Sequence, residues 1–379
     1  MKFVQVLPVA LLLMFNANAQ SPQEILEKTA TKIIGLNAVK YTNLARFTNP
    51  LSNTDTGYTR SEAAIILSDG KVIRSFHKTD HNKGESVYGS TYTNQTAIEI
   101  DYLDSTFTSS HKANSSTALT DIASSITTQY LIKPERLVRL KDSIVNRQDC
   151  FQVLVKTYDT INNGKHYYTW QRLLVSKKLM LPVYTRLDIA GSMGKEGYEV
   201  GIVSFFNEEW FENYRLNGKI SDKKFAFDST RFTAPNKAML VIGDQLPAFD
   251  IKTQDEKTID PSQFANKPVL VEFGSTSCVA NALVNPMMNR MIGLYDTSKI
   301  SIFSVFASES AKRVSSYVNN QGLKFPVYLA PNSIKRTFKT MGTPNFYLAD
   351  KNGKIVGVYR GYYDKLEEEL TKAIKAIME

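Results

Sequence analysis

At 379 residues the chain is too long for one ordinary hydrophobic core, so two domains are expected. Its 42% hydrophobic and 22% charged residues exclude a disordered polypeptide. The formal charge of +9 comes from scattered Lys and Arg, with no dense basic run and no nucleic-acid motif, and so argues for a solvated basic surface rather than a nucleic-acid partner.

The N-terminus carries a targeting pattern. Met1-Lys2 supplies a positive charge, Val6 to Phe15 a short apolar core, and Ala17-Asn18-Ala19 a small-x-small cleavage site. Residues 1–19 therefore read as a secretory signal peptide, cut before Gln20. The apolar core is too short to span a bilayer, and no second long apolar run gives the mature chain a transmembrane span. No cysteine follows the cleavage site, so lipid attachment there is not expected. The expectation is a soluble exported protein, in the bacterial periplasm. Its only cysteines, Cys150 and Cys278, are too few for a disulfide framework. Cys150 sits in the strand-like D-C-F-Q-V-L-V-K and reads as a small buried apolar residue. A Cys150–Cys278 bridge would have to join two domains and is not expected.

After the signal, Ser21 is a plausible helix cap and Pro22 the first helical residue, with Ile25, Leu26, Ile33 and Ile34 forming apolar faces. The pattern then changes to strands. Tyr58 to Leu67 and Lys71 to Phe76 flank the turn Ser68-Asp69-Gly70, a hairpin signal. Runs such as T-A-I-E-I-D-Y, H-Y-Y-T-W-Q-R-L-L-V and Y-E-V-G-I-V-S-F-F continue it, and Leu119 to Leu131 is amphipathic with a helical period. Many consecutive strands predict an antiparallel sheet with one or two helices beside it.

The lysine turn before Leu181-Pro182, and the ending N-x-x-x-x-D-x-x-F at Asn217, Asp222 and Phe225, resemble the last hairpins of LolA-like lipoprotein-carrier domains. The resemblance spans residues 20–230. It implies a curved antiparallel sheet wrapped around helices, with an apolar cavity for a lipid or similar ligand. An unrelated antiparallel sheet would give much the same strand pattern. Residues 231–243, with Pro235, Asn236 and Gly243, lack periodicity and read as a linker.

From residue 244 to 379 strands alternate with helices. V-L-V-E-F is a continuous apolar strand, followed by a helix from Val279 to Tyr295, the strand K-I-S-I-F-S-V-F and a helix from Ser310 to Asn320. A short strand F-P-V-Y-L, a helix from Ser333 to Lys339, a hairpin around Asp350-Lys351-Asn352-Gly353 and a helix from Leu366 to Met378 complete an α/β sandwich.

Four segments in this order resemble the thioredoxin superfamily, and within it the exported TlpA-like thiol-disulfide proteins. G-D-Q-L-P-A-F-D-I resembles the family's opening strand, and T-I-D-P-S-Q-F-A-N-K-P-V-L-V-E-F its run into the central strand. F-G-S-T-S-C-V-A-N-A-L-V-N-P resembles its redox loop, with Pro286 at the helix-kinking proline, and G-T-P-N-F-Y-L-A-D-K-N-G-K-I-V the segment around its cis-proline.

The resemblance places Cys278 at the start of a helix, where unpaired N–H groups and the helix dipole favour a thiolate, the nucleophile of disulfide exchange. Glu272 interrupts the apolar strand six residues earlier, at the family's buried acid, which moves protons at the second cysteine. A Glu at that point could equally face solvent at the strand's end. Thr343-Pro344 matches the cis-proline, where the family pairs a bound peptide as an added strand.

The sequence also departs from the pattern. Asn281 stands where the resolving cysteine belongs, so a mixed disulfide at Cys278 has no neighbouring thiol to release it. The two tryptophan positions of the loop are Gly274 and Ser277. All four histidines, His77, His81, His111 and His166, lie upstream, which leaves no Cys–His pair in the domain and no metal site; no cofactor is expected.

Three readings follow. In the first, a monothiol redox protein works through Cys278 on exported protein thiols or disulfides and needs an external reductant. The second is a non-catalytic binding protein, with an apolar ligand in the N-terminal domain and the thioredoxin fold as a partner platform. The third is a one-cysteine peroxidase, for which Ser275 is suitably placed but Val271 stands where a proline is required and no activating arginine can be assigned.

Overall fold

The structure is a computed structural model that describes residues 20–49, 52–82, 84, 86–195, 198–234, 239–340 and 342–379. The expected signal peptide, and Pro235 and Asn236 of the expected linker, lie outside the described residues.

The first helix, α1 (Pro22–Ile34), opens with a capping box: Glu24 N–H donates to Ser21 Oγ at 3.1 Å, and Ser21 N–H to Glu24 Oε2 at 3.0 Å. Its buried stripe is Ile25, Leu26, Thr29, Ala30 and Ile33, the i, i+4 spacing of one helical face. Then come six strands, β1 (Ala38–Asn49), β2 (Ser52–Ser68), β3 (Lys71–His81), β4 (Ser86–Thr93), β5 (Thr96–Asp101) and β6 (Thr106–His111). After α2 (Ala118–Ser125) come β7 (Leu137–Val145), β8 (Gln148–Asn162), β9 (Lys165–Ser176), β10 (Pro182–Lys195) and β11 (Tyr198–Leu216).

These eleven strands form one sheet in the order β6-β5-β4-β3-β2-β1-β11-β10-β9-β8-β7. It consists of two meanders joined where β1 pairs antiparallel with β11, so the first and last strands meet in the middle. The period of two sends Val39, Tyr41, Ala63, Ile65, Leu173 and Val175 to the face that α1 and α2 cover. Arg46, Arg186 and Glu208 lie in register on the other face. The helix expected over 119–131 changes character midway. Beyond Ser125 it continues as a π-helical turn, Ile126–Tyr130, where Thr127 and Thr128 hydroxyls donate to the carbonyls of Ala123 and Ser124 at 3.1 and 2.8 Å. Cys150 is fully buried beside Leu174 and Val183, and both cysteines are free.

The C-terminal part follows the expected alternation: β12 (Val269–Gly274), α3 (Val279–Leu294), β13 (Ser301–Ala307), α4 (Ala311–Gln321), β14 (Val327–Ala330), α5 (Ser333–Thr337), β15 (Asn345–Ala349), β16 (Ile355–Arg360) and α6 (Leu366–Met378). Its five strands run β14-β13-β12-β15-β16, with β12, β13 and β14 parallel and β15 and β16 antiparallel. Both faces are buried. Leu270, Ile302, Phe346 and Leu348 pack with Val284, Met288, Tyr317 and Leu370 on one side, while Val271, Phe273, Phe303 and Tyr347 pack with Phe249, Ile251 and Phe338 on the other. One expectation fails here. The segment G-D-Q-L-P-A-F-D-I makes one bridge, Gln245 with Lys354, because the partner stretch turns at residues 351–353 and Pro247 has no N–H to continue a ladder; Phe249 is nevertheless buried in the core.

Candidate functional site

Alternation along β12 puts Glu272 on the same face as Leu270, toward α3, and pairs it in register with Ser304 of β13. Its carboxylate is buried, with 1% of the residue exposed. Asn281 Nδ2 donates to one oxygen and Ser304 Oγ to the other, both closely. Burial pushes the Glu272 carboxyl up to about 7, and the bonds from Ser304 and Asn281 only partly offset that. The acid therefore faces Asn281 directly, rather than solvent.

Asn281 does more than fill the place of a thiol. It is buried in the first turn of α3, and its Oδ1 accepts the Ser275 N–H at 3.1 Å while its Nδ2 reaches Glu272. One side chain thus ties the redox loop to the central strand. Gly274 makes room for this arrangement: a Cβ there would lie 2.4 Å from the Phe306 ring and 2.7 Å from both Asn281 Nδ2 and Glu272 Oε1. Position 274 is therefore required to be small.

Cys278 is the N-cap of α3 and is half-buried. Its N–H donates to the Ser275 carbonyl at 3.2 Å, and its own carbonyl accepts the Asn281 N–H at 3.1 Å. Its Sγ donates to the Thr343 carbonyl at 3.2 Å. The Thr343-Pro344 peptide is cis, as the sequence pattern implied. The structure therefore brings Cys278, Asn281, Glu272, Thr343 and Pro344 to one place. Val279, 43% exposed, and the exposed Ser277 flank the sulfur on the open side.

Three further residues belong to the site. Ser304 is the second partner of Glu272. Thr276, fully buried two residues before Cys278, donates its N–H to Glu309 Oε1 at 3.0 Å and its hydroxyl closely to Oε2. Ser304 carried a readable signal, a hydroxyl between Phe303 and Val305 inside an apolar run, the same logic that singled out Glu272. Glu309 carried none, since its role depends on where the loop after β13 ends.

Ser275 Oγ lies 2.9 Å from Ser277 Oγ. The histidines lie in β3 (His77, His81), β6 (His111) and β9 (His166). Among the described residues no group of three His, Cys, Asp or Glu side chains could hold a metal ion.

A sequence-family profile described as the AhpC/TSA family matches residues 242–358. A "Thiol-disulfide oxidoreductase ResA" from Bacillus anthracis is 30% identical over 148 residues, covering 38% of this chain and 82% of that protein. The protein of the same name from Bacillus thuringiensis subsp. konkukian is 29% identical over 147 residues, covering 83% of its length. The chain belongs to the TlpA-like group of the thioredoxin superfamily. Its TlpA-like part is the C-terminal sheet with the helices around it. A crystal structure of a thiol:disulfide interchange protein from Chlorobium tepidum covers 37% of this chain and 99% of its own at 21% identity, with a TM-score of 0.33.

Proposed function

We propose that the protein is a monothiol thiol-disulfide protein that works through Cys278. The observation that carries this reading is the placement of the Cys278 sulfur, half-buried at the start of α3 and hydrogen-bonded to the Thr343 carbonyl beside Pro344, with Asn281 locked away in bonds to Glu272 and Ser275. The Cys278 thiolate attacks one sulfur of a partner disulfide. An S–S bond forms to Cys278, and the other sulfur leaves as a thiolate and takes a proton. Asn281 cannot attack the mixed disulfide, so an external thiol must do so, returning Cys278 as a thiol. The partners are exported protein thiols or disulfides together with a reductant thiol. Catalytic work rests on Cys278, with Glu272 as the nearby proton store and Asn281 as the residue that fixes the loop. The names of the relatives support the reaction class. The test is native alkylation of the full chain with iodoacetamide near neutral pH, followed by peptide mass analysis. Rapid labelling of Cys278 with Cys150 untouched is expected, and an inert Cys278 would refute the reading.

The same proposal divides the chain into a signal peptide (1–19), an N-terminal domain (20–230), a linker (231–243) and a thioredoxin-like domain (244–379), and places the mature protein in the periplasm. N-terminal sequencing of the secreted protein should begin at Gln20. For the N-terminal domain, a LolA-like layout is supported by the sheet with α1 and α2 packed on one face. The pocket beneath α2, about 390 Å³, is lined by Asp121, Gln171, Asn207 and Glu209 as well as Ile122 and Leu173, and so suits an acyl chain poorly. A larger pocket of about 750 Å³ on the opposite face sets Leu44, Tyr58 and Trp210 beside the charged Arg46, Arg60, Asp80, Glu208 and Glu212, and so suits a lipid with a polar head better than a purely apolar ligand. Lipid extraction of the purified protein followed by mass spectrometry tests this; a lipid-free protein that binds no apolar dye would remove the ligand proposal.

A further inference from the structure

Cys278 is held from two sides, and both lead back to one carboxylate of the N-terminal sheet. That carboxylate is Asp104, in the turn between β5 and β6. The turn is fixed by its own chemistry. Asp101 Oδ1 accepts the N–H groups of Leu103 and Asp104 at 3.0 Å each. The chain leaving the N-terminal sheet braces it further, since Thr233 N–H donates to the Ser105 carbonyl at 3.0 Å and Phe107 N–H to the Thr233 carbonyl at 3.1 Å. From this turn Asp104 Oδ2 accepts Asn332 Nδ2 at 2.7 Å. Arg336 Nη1 donates to the Asp104 carbonyl at 3.3 Å, and its Nε lies 3.8 Å from Asp104 Oδ1.

One side of the grip passes through β13. Asn332 Oδ1 accepts Ser308 Oγ at 2.7 Å. Ser308 sits in the left-handed region, at φ 63°, which a non-glycine residue keeps only when its surroundings hold it. The next residue, Glu309, receives the Thr276 N–H and hydroxyl, two residues before Cys278. The other side passes through α5. Asn332 stands at its start and Arg336 within its last turn, and the chain beyond it leads to Thr343, whose carbonyl accepts Cys278 Sγ. Asn332 makes no side-chain cap bond to α5; its amide is spent between Asp104 and Ser308.

We infer that Asp104 is a positioning residue for Cys278, through which the N-terminal sheet acts on the geometry of the redox loop. This rests on the reading of Cys278 as a disulfide-exchange nucleophile. A small alkylating reagent needs only the sulfur. A peptide disulfide also needs the Thr343 backbone and the loop in register, so it feels the loss of Asp104 more.

The full-length protein is compared with Asp104→Ala, Asp104→Asn and Asn332→Ala. Two rates are read: release of 2-thiopyridone from a peptide–thiopyridine disulfide, and alkylation of Cys278 by iodoacetamide. The Asp104→Ala and Asn332→Ala variants should slow thiopyridone release about fivefold, the effect of one lost hydrogen bond, with alkylation within about twofold of the parent. The Asp104→Asn variant keeps an acceptor for Asn332 Nδ2 and should recover most of the rate. Thiopyridone release at the parent rate in Asp104→Ala overturns the inference. A parent protein that does not exchange at all overturns the thiol-disulfide reading instead. Amide hydrogen exchange across residues 274–282 then decides the positioning role: faster exchange in Asp104→Ala and not in Asp104→Asn upholds it, and unchanged protection overturns it.

Discussion

Among the described residues each sheet buries one glutamate, and the two are satisfied in different ways. Glu208 of β11 is 2% exposed and meets Arg46 and Arg186 directly across the ladder, with Tyr184 OH donating to it at 2.7 Å. Glu272 of β12 is 1% exposed and receives only neutral donors, Asn281 and Ser304. A carboxylate between guanidinium groups has its charge answered and serves as a structural tie. A carboxylate answered by an amide and a hydroxyl is left with most of its desolvation cost, so it holds a proton near neutral pH. The pair shows that burial alone does not mark a site; the kind of partner does. Glu208 lies in a sheet whose strands keep one face toward solvent or side pockets, where arginines can reach it. Glu272 lies in strands buried on both faces, where among the described residues no lysine or arginine offsets its burial.

The largest effect is expected from Cys278→Ser, which should abolish alkylation and mixed-disulfide formation while leaving Cys150 unlabelled in its core; intact-mass analysis after iodoacetamide reads both. Asn281→Cys should convert the monothiol site into one that forms a loop disulfide on treatment with a disulfide oxidant, detected as a mass lower by two hydrogen atoms, and should give turnover with a dithiol reductant. Failure to form that bond would mean that the loop, not the missing thiol, limits the chemistry.

The Glu272 contribution has a definite sign. Its folded value of about 7 lies above the ordinary 4.5, so the folded state holds the proton more tightly than the unfolded state. Stability therefore falls as pH rises from about 4.5 to about 7, by on the order of 3 kcal/mol, and stays lowered above that window. Glu272→Gln can keep both hydrogen bonds and should flatten this slope in urea titrations at pH 5 and pH 8. An unchanged slope would show that another group carries it.

Gly274→Ala should cost about 2 kcal/mol, because the new methyl collides with Phe306 and with the Glu272–Asn281 pair. Its thermal midpoint should fall, and the loop around Cys278 should lose amide protection. The smallest effect belongs to the other glutamate. Glu208→Gln should cost about 1.5 kcal/mol through weakened bonds to the arginines, with Cys278 labelling unchanged. A change in labelling there would break the contrast between the two carboxylates.

Much of the C-terminal architecture is legible because its strands are short continuous apolar runs and its helices carry a clear period. The helix from Leu366 to Met378 matches the sequence reading to the residue. The N-terminal hairpin at Ser68-Asp69-Gly70 is legible for the same reason, since Asp69 and Gly70 both take the positive φ that such a turn needs. The pairing of β1 with β11 is not legible, because each strand's pattern fits many neighbours and only the complete sheet selects one. The failed opening strand shows the limit of a motif match: its apolar residues reach the core, but Pro247 prevents the ladder.

By itself the sequence determined the order of elements, the single cysteine of the redox loop, the loss of its partner to Asn281, and the carboxylate of Glu272 within an apolar strand, with its burial left open. These are local facts, set by residue type and by periods of two and 3.6. Tertiary structure decided what those residues meet. Glu272 meets Ser304 because β12 and β13 pair in parallel register; Thr276 meets Glu309 because β13 ends beside the loop; and Asp104 reaches Asn332 because the β5–β6 turn lies against the start of α5. Such partners are distant in sequence, and each is chosen by packing, which no local pattern encodes.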